Sequence, residues 1–261
     1  MDKRTTINYL IVTFLSTYIL WGLIIVSCQI GYFQFGSPIA KILFTIGGNA
    51  PPIAAYAVLK KAHIITGIKQ FAKEAFAIKQ KPQYYCIMIV FLIIYFGIPA
   101  LLQGVSIGSK LYVSFFSIPI IIFYGGLEEL GWRYILQPSL EKQFPFGIAT
   151  SLTACTWAVW HLPLFFIKGT ANSNLNFGLF TIMVFGMSFA LATIYYKSKS
   201  IWLCILFHTM VNTLSSSWVI KESIVIQTCT TILMIAFSFA IITYHKKKRD
   251  SYIENEYNLQ S

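Results

Sequence analysis

Charge is scarce in this chain. Asp, Glu, Lys and Arg make up 11% of its residues, against roughly 25% in soluble domains. That shortage excludes an ordinary water-facing surface. With 56% hydrophobic residues and a mean hydropathy of +0.66, it marks an integral membrane protein. Acidic residues are the scarcest, nine against 20 Lys and Arg. Paired cysteines are missing too: Cys28, Cys86, Cys155, Cys204 and Cys229 stand singly in apolar runs, with no C-x-x-C spacing. Neither a disulfide framework nor a thiolate metal site is therefore suggested, and the cysteines read as small buried hydrophobes. There is no internal repeat and no composition break that would set off a second folded unit.

What is present is eight apolar runs long enough to span: about Tyr9 to Ile30, Ile39 to Leu59, Tyr84 to Leu102, Leu111 to Tyr134 and on towards Leu140, Phe146 to Ile167, Leu175 to Tyr196, Ile201 to Val219 and Ile224 to Tyr244. Only helices and closed barrels satisfy their backbones in lipid, so the chain reads as an all-α polytopic transmembrane bundle of about eight spans. Pro51 and Pro52 predict a kink in the second run. The first run exceeds a signal-peptide core of about 7 to 15 residues and reads as a retained span. Between the second and third, the basic loop from Lys60 to Pro82 has room for an amphipathic helix on the membrane surface. After the last, a polar tail from His245 to Ser261 has the composition of a disordered segment.

The basic residues distribute unevenly across these runs. With the N-terminus inside, sixteen Lys and Arg fall on the inner side, Arg133 and Lys142 among them, and four on the outer side: Lys41, Lys110, Lys168 and Lys221. Cytoplasmic loops collect positive charge, so both termini are expected in the cytoplasm. The formal charge of +11 then reflects topology and attraction to an anionic lipid bilayer, and it argues against nucleic acid as a partner.

Three polar clusters inside the runs need a stronger account than packing: EELGWR at Glu128 to Arg133, TWAVWH ending at His161, and HTMVN from His208 to Asn212. One charged side chain at the bilayer centre costs at least about 2.5 to 3.5 kcal/mol on insertion scales. A single polar group can be interhelical glue, but two glutamates, an arginine, two histidines and an asparagine are the groups that acid–base chemistry needs. Glu129 and Arg133 stand at i and i+4 with the acid first, the favoured order for an ion pair. Glu128 lies about 100° round the helix from Glu129 and points elsewhere. Spacing leaves open whether Arg133 serves one carboxylate or both. His208 and Asn212, also i and i+4, share a face. Pro163 predicts a bend just past His161, whose depth from the sequence falls nearer the outer side than that of Glu128 or His208.

Glu-Glu-x-x-x-Arg, Trp157-x-x-x-His161 and His208-x-x-x-Asn212, in this order on three helices over about Leu111 to Ser217, resemble the CPBP family. These are the CAAX protease and bacteriocin-processing, or Abi-like, intramembrane proteases, related to the type II CAAX prenyl endopeptidases. The resemblance implies peptide-bond hydrolysis in the membrane. Glu128 and His161 would activate a water, His208 and Asn212 would bind the oxyanion, and Glu129 and Arg133 would support them. It further implies a catalytic core at 111–217, preceded by helices and a basic loop at 1–110 and followed by the last helix and tail at 218–261. Zinc is a possible cofactor of the family, held by Glu128, His161 and His208, although H-E-x-x-H is absent; a metal-free glutamate mechanism is the alternative, favoured by the outward depth of His161. The expected partner is a membrane protein or peptide substrate, prenylated or not, and the expected location is the bacterial plasma membrane. A bacteriocin immunity or binding scaffold of the same family is the alternative function. The sequence leaves the oligomeric state open.

Overall fold

The computed structural model describes residues 1–260, with side chains through His245. All eight apolar runs are helical, and they are not eight equal spans. Five segments are long and apolar enough to cross alone: α1 (Lys3–Gln29), α5 (Pro82–Gln103), the interrupted stretch Leu111–Glu141, α10 (Phe177–Ser198) and α12 (Ile224–Gln260), whose apolar part ends at His245. A sixth is a pair, α2 (Pro38–Gly48) and α3 (Ala50–Lys61), bent by 48°. The bend falls where Pro51 and Pro52 open α3, as anticipated, because proline's missing N–H is harmless in a first turn. The remaining two, α9 (Phe146–His161, 16 residues) and α11 (Ile201–Ser217, 17 residues), extend only about 24 to 26 Å at 1.5 Å per residue. A bilayer core is about 30 Å thick. These two short helices carry both histidine motifs.

The basic loop contains α4 (Ile68–Ala75), whose Phe71 and Ala75 are buried against the bundle while its lysines stay out. The tail that reads as disordered instead continues α12 to Gln260. A two-residue antiparallel pairing, Ser106 with Val219 and Ile107 with Trp218, closes one end of the otherwise helical fold.

Long-range contacts sort the loops to two ends. At one end Lys142 Nζ donates to the Met1 carbonyl, Thr6 Oγ1 donates to Ser139 Oγ, Phe76 packs on Trp202, and Tyr196 on His245. At the other, Gln103 Nε2 donates to the Lys221 carbonyl and Phe35 lies against Gly169. The first group holds the segments assigned inside by charge and the second those assigned outside. One charge was misplaced: Arg133 is fully buried, so it belongs to the interior and not to an inner loop.

Four tryptophans lock the middle of the bundle. Trp21 and Trp160 have ring centroids 5.2 Å apart, and Trp132 and Trp160 5.7 Å. Their indole N–H groups are satisfied: Trp21 donates to the Phe44 carbonyl and Trp160 to Thr17 Oγ1, as buried tryptophan requires. Trp132 and Trp157 donate elsewhere, and their acceptor defines the site.

Candidate active site

The helix that begins at α6 (Leu111–Phe123) loses its regular winding where the glutamates fall. A 3₁₀ turn covers Gly126–Glu128, α7 only Glu129–Gly131, a π-helical turn Trp132–Leu136, and α8 Gln137–Glu141. Such single π turns cluster at functional sites because they redirect side chains without ending a helix. Here the irregularity turns Glu128 and Glu129 in different directions.

Glu128, 6% exposed, gives Oε2 to two indoles: Trp157 Nε1 donates at 2.9 Å and Trp132 Nε1 at 3.4 Å. Its Oε1 is left for the cavity. Glu129 is fully buried and is spent on structure. Its Oε1 accepts from His208 Nδ1 at 2.9 Å, and its Oε2 faces Arg133 Nε at 3.3 Å. Arg133 also donates from Nη2 to Ser188 Oγ at 2.9 Å and lies 5.6 Å from the Trp157 ring centre. The contact at 3.3 Å is an ion pair without good hydrogen-bond alignment, since neither atom has an aligned partner. The choice that spacing left open is thereby made: among the described residues Arg133 pairs with Glu129 alone.

His161 ends α9, where the proline at 163 converts the chain to a 3₁₀ turn over Leu162–Phe166. Its Nδ1 bonds to the Trp157 carbonyl at 2.9 Å. A carbonyl only accepts, so Nδ1 carries the hydrogen and Nε2 presents a lone pair. His208 and Asn212 converge over Gly125. A Cβ at that glycine would sit 2.4 Å from Asn212 Nδ2 and 3.4 Å from His208 Nε2. Both nitrogens thus meet above a patch of bare backbone. Gly126 makes the adjacent approach possible, since a Cβ there would lie 2.4 Å from Thr209 Oγ1.

Glu128, His161, His208 and Asn212 line one cavity of about 400 Å³. It begins between the tryptophans and reaches towards Ala171, Asn172 and Leu175, the end of the bundle assigned outside. The outward position of His161 does not separate it from the others, because the cavity runs outward with it. Glu129 and Arg133 do not line the cavity; they stand behind it.

Residues 110–214 match the family described as type II CAAX prenyl endopeptidase Rce1-like. Over 262 aligned residues the chain is also 28% identical to CAAX prenyl protease 2 of Methanococcus maripaludis, covering 92% of this chain and 93% of that one. This similarity supports an intramembrane endopeptidase function, and the apolar helices fit a multi-pass membrane protein.

The matched stretch, residues 110–214, contains more of the site than the motif residues. Trp132, Ser188 and Gly125 were not anticipated, and Trp157 was anticipated only as an aromatic spacer. Trp132 carried a usable signal: it stands four residues after Glu128, on the same helical face. Zinc would require three ligands within about 2.0 to 2.2 Å of one point. Among the described residues no three His, Cys, Asp or Glu side chains come together in that way, and Glu128 Oε2 is already engaged by two indoles. The residues as placed do not fit zinc, and no step below runs through a metal.

Proposed function

We propose that this chain hydrolyses peptide bonds of membrane-associated proteins or peptides inside the 400 Å³ cavity, with Glu128 and His161 activating the attacking water. The observation that supports it is the convergence of Glu128, His161, His208 and Asn212 on that one cavity. Burial of Glu128 and His208 strengthens the polar interactions they make there.

The water donates one hydrogen to Glu128 Oε1 and the other to His161 Nε2. As its oxygen adds to the substrate carbonyl carbon, Glu128 takes the first proton. The carbonyl oxygen becomes an oxyanion facing Asn212 Nδ2 and His208 Nε2. Because His208 Nδ1 already donates to Glu129, Nε2 donates to the oxyanion when the ring carries both protons. When the tetrahedral species collapses, the C–N bond breaks and Glu128 returns its proton to the leaving amine. Glu129 and Arg133 are positioning residues that hold His208 and keep Glu128 free. The catalytic core is 111–217, an assignment supported by the family match over 110–214, and its setting is the bacterial plasma membrane with both termini cytoplasmic.

The methanococcal relative is named for CAAX prenyl substrates, so a prenylated CAAX peptide belongs in the first panel beside unmodified membrane peptides. Comparing membrane peptidomes of wild-type cells and a Glu128→Ala strain tests the proposal. Uncleaved precursors should accumulate in the mutant, and identical peptidomes would count against proteolysis.

A further inference from the structure

On the outside of the bundle a groove runs between α1 and α3, and hydrolysis as described makes no use of it. Its polar part is a hollow of about 460 Å³ at the end assigned inside by charge. Arg4, Asn8 and Lys61 line this hollow, and the side chains of these three make no hydrogen bond or ion pair among the described residues. Asp2 lines it as well, but its Oδ1 accepts from Thr5 N at 2.7 Å and caps α1. Two cations therefore face one carboxylate that is already engaged. Val12 belongs both to this hollow and to the next, of about 330 Å³, where Leu15, Ile19, Ile46 and Ile53 form an apolar wall. These five side chains are exposed on the outside of the bundle. The same span is repeated on both helices: Asn8 to Ile19 on α1 and Lys61 to Ala50 on α3 are each eleven residues apart, about 16 Å at 1.5 Å per residue. That is close to one leaflet of a hydrocarbon core about 30 Å thick.

We propose that this groove is a binding site for one anionic phospholipid of the leaflet on that side. The lipid phosphate sits among Arg4, Asn8 and Lys61, and an acyl chain lies past Val12 towards Ile19 and Ile53. Three observations commit the groove to that occupant. The unpaired cations select a negative headgroup, since basic side chains at a membrane surface attract anionic lipid. The apolar hollow that follows selects a lipid over a soluble phosphate, which would leave those side chains uncovered. The length of the groove selects a single leaflet, so the occupant is a lipid with its head at the Arg4 end and not a helix crossing the whole bilayer. Bound there, the lipid ties α1 to α3 and stabilises the folded bundle by mass action. The site stands whether or not the chain is a protease.

The test uses full-length protein, stripped of lipid in detergent and titrated with phosphatidylglycerol or phosphatidylcholine of identical chains. Native mass spectrometry counts the lipids retained, and thermal unfolding is followed alongside. Wild type should hold one phosphatidylglycerol per chain at a concentration about tenfold or more below that needed for phosphatidylcholine, the scale that two basic residues supply near an anionic surface. Its unfolding temperature should rise with phosphatidylglycerol and not with glycerol phosphate, which has the headgroup charge without the chains. Arg4→Gln combined with Lys61→Gln should erase the preference. Lys79→Gln combined with Lys81→Gln removes the same charge outside the groove and should leave the preference intact. All four residues are exposed, so these variants fold and decide the matter even if Ala57→Trp, which fills the polar hollow from α3, does not. Where Ala57→Trp folds, it should lose the retained lipid. Equal retention of the two lipids by wild type, or equal loss in both charge-deleted pairs, overturns the site. An equal thermal shift with glycerol phosphate would also overturn it and assign the hollow to a free phosphate. A dimer that excludes lipid and is broken by Ala57→Trp would overturn it in favour of a second copy of the chain.

Discussion

Glu129 Oε1 accepts a hydrogen bond from His208 Nδ1 at 2.9 Å, which ties the short helix α11 to the break in the glutamate helix. Glu129's other oxygen meets Arg133, so one carboxylate serves two partners and is not available to a substrate. Removing one member of a buried pair leaves an uncompensated charge, typically a loss of about 3 to 5 kcal/mol. Arg133→Ala and Glu129→Gln should therefore lower thermal stability in detergent by several degrees or reduce yield, whereas Glu128→Gln should unfold close to wild type. Equal destabilisation by all three would remove the division of labour between the glutamates.

Asn212 and His208 should behave as oxyanion donors. Deleting one such donor commonly lowers kcat by about 10² to 10³. Asn212→Ala should show that loss with KM almost unchanged, because the contact forms with the transition state and not with bound substrate. A rise in KM alone would mean that Asn212 merely binds the peptide.

Gly125 offers a sharper steric check. A methyl there would stand 2.4 Å from Asn212 Nδ2, and misplacing a reacting group by about 1 Å can cost about 10²-fold. Gly125→Ala should fold, bind substrate and lose about two orders of magnitude in kcat. Wild-type turnover in that variant would show that Asn212 is not needed where it stands.

Zinc dependence is decided by elemental analysis and chelation together. Purified active protein should contain well under one zinc per chain and keep its activity after dialysis against a strong chelator. Stoichiometric zinc, with activity lost on chelation and restored by zinc alone, would require the side chains to rearrange into a ligand set.

Orientation can be read by labelling. Once Arg133 is moved to the interior, fifteen basic residues remain inside against the four outside. In a cysteine-free background, Lys79→Cys and Lys197→Cys should resist an impermeant reagent in intact cells, and Gly36→Cys and Asn172→Cys should react. Asn172 lines the mouth of the large cavity, so its labelling would also place that mouth on the outer face. Reaction at Lys197→Cys would invert the topology.

Much of this fold was legible in the sequence because lipid enforces a simple rule: apolar runs become helices, and intramembrane charges find partners. The Glu129–Arg133 pair and the His208–Asn212 face followed from i, i+4 spacing alone. The bend at Pro51 followed from the missing proline N–H, and a bend just past His161 from the restriction that Pro163 puts on the residue before it. The lengths of α9 and α11 were less legible, because Leu162 to Ile167 are apolar enough to extend a helix that in fact tightens into a 3₁₀ turn. Arg133 was misassigned because a charge near a span end looks the same in sequence whether it faces solvent or a buried carboxylate. The indole clamp on Glu128 was hidden for a different reason. Trp157 sits on another helix 29 residues away, and nothing local distinguishes a tryptophan that donates a hydrogen bond from one that packs.

The most direct measurement compares wild-type and Glu128→Gln protein, purified and reconstituted, on a membrane peptide that accumulates in the mutant cells. Cleavage by wild type, with a fall below detection in Glu128→Gln at matched thermal unfolding, is the outcome predicted. Turnover by Glu128→Gln at the wild-type rate would contradict the assignment of Glu128 as the residue that activates water.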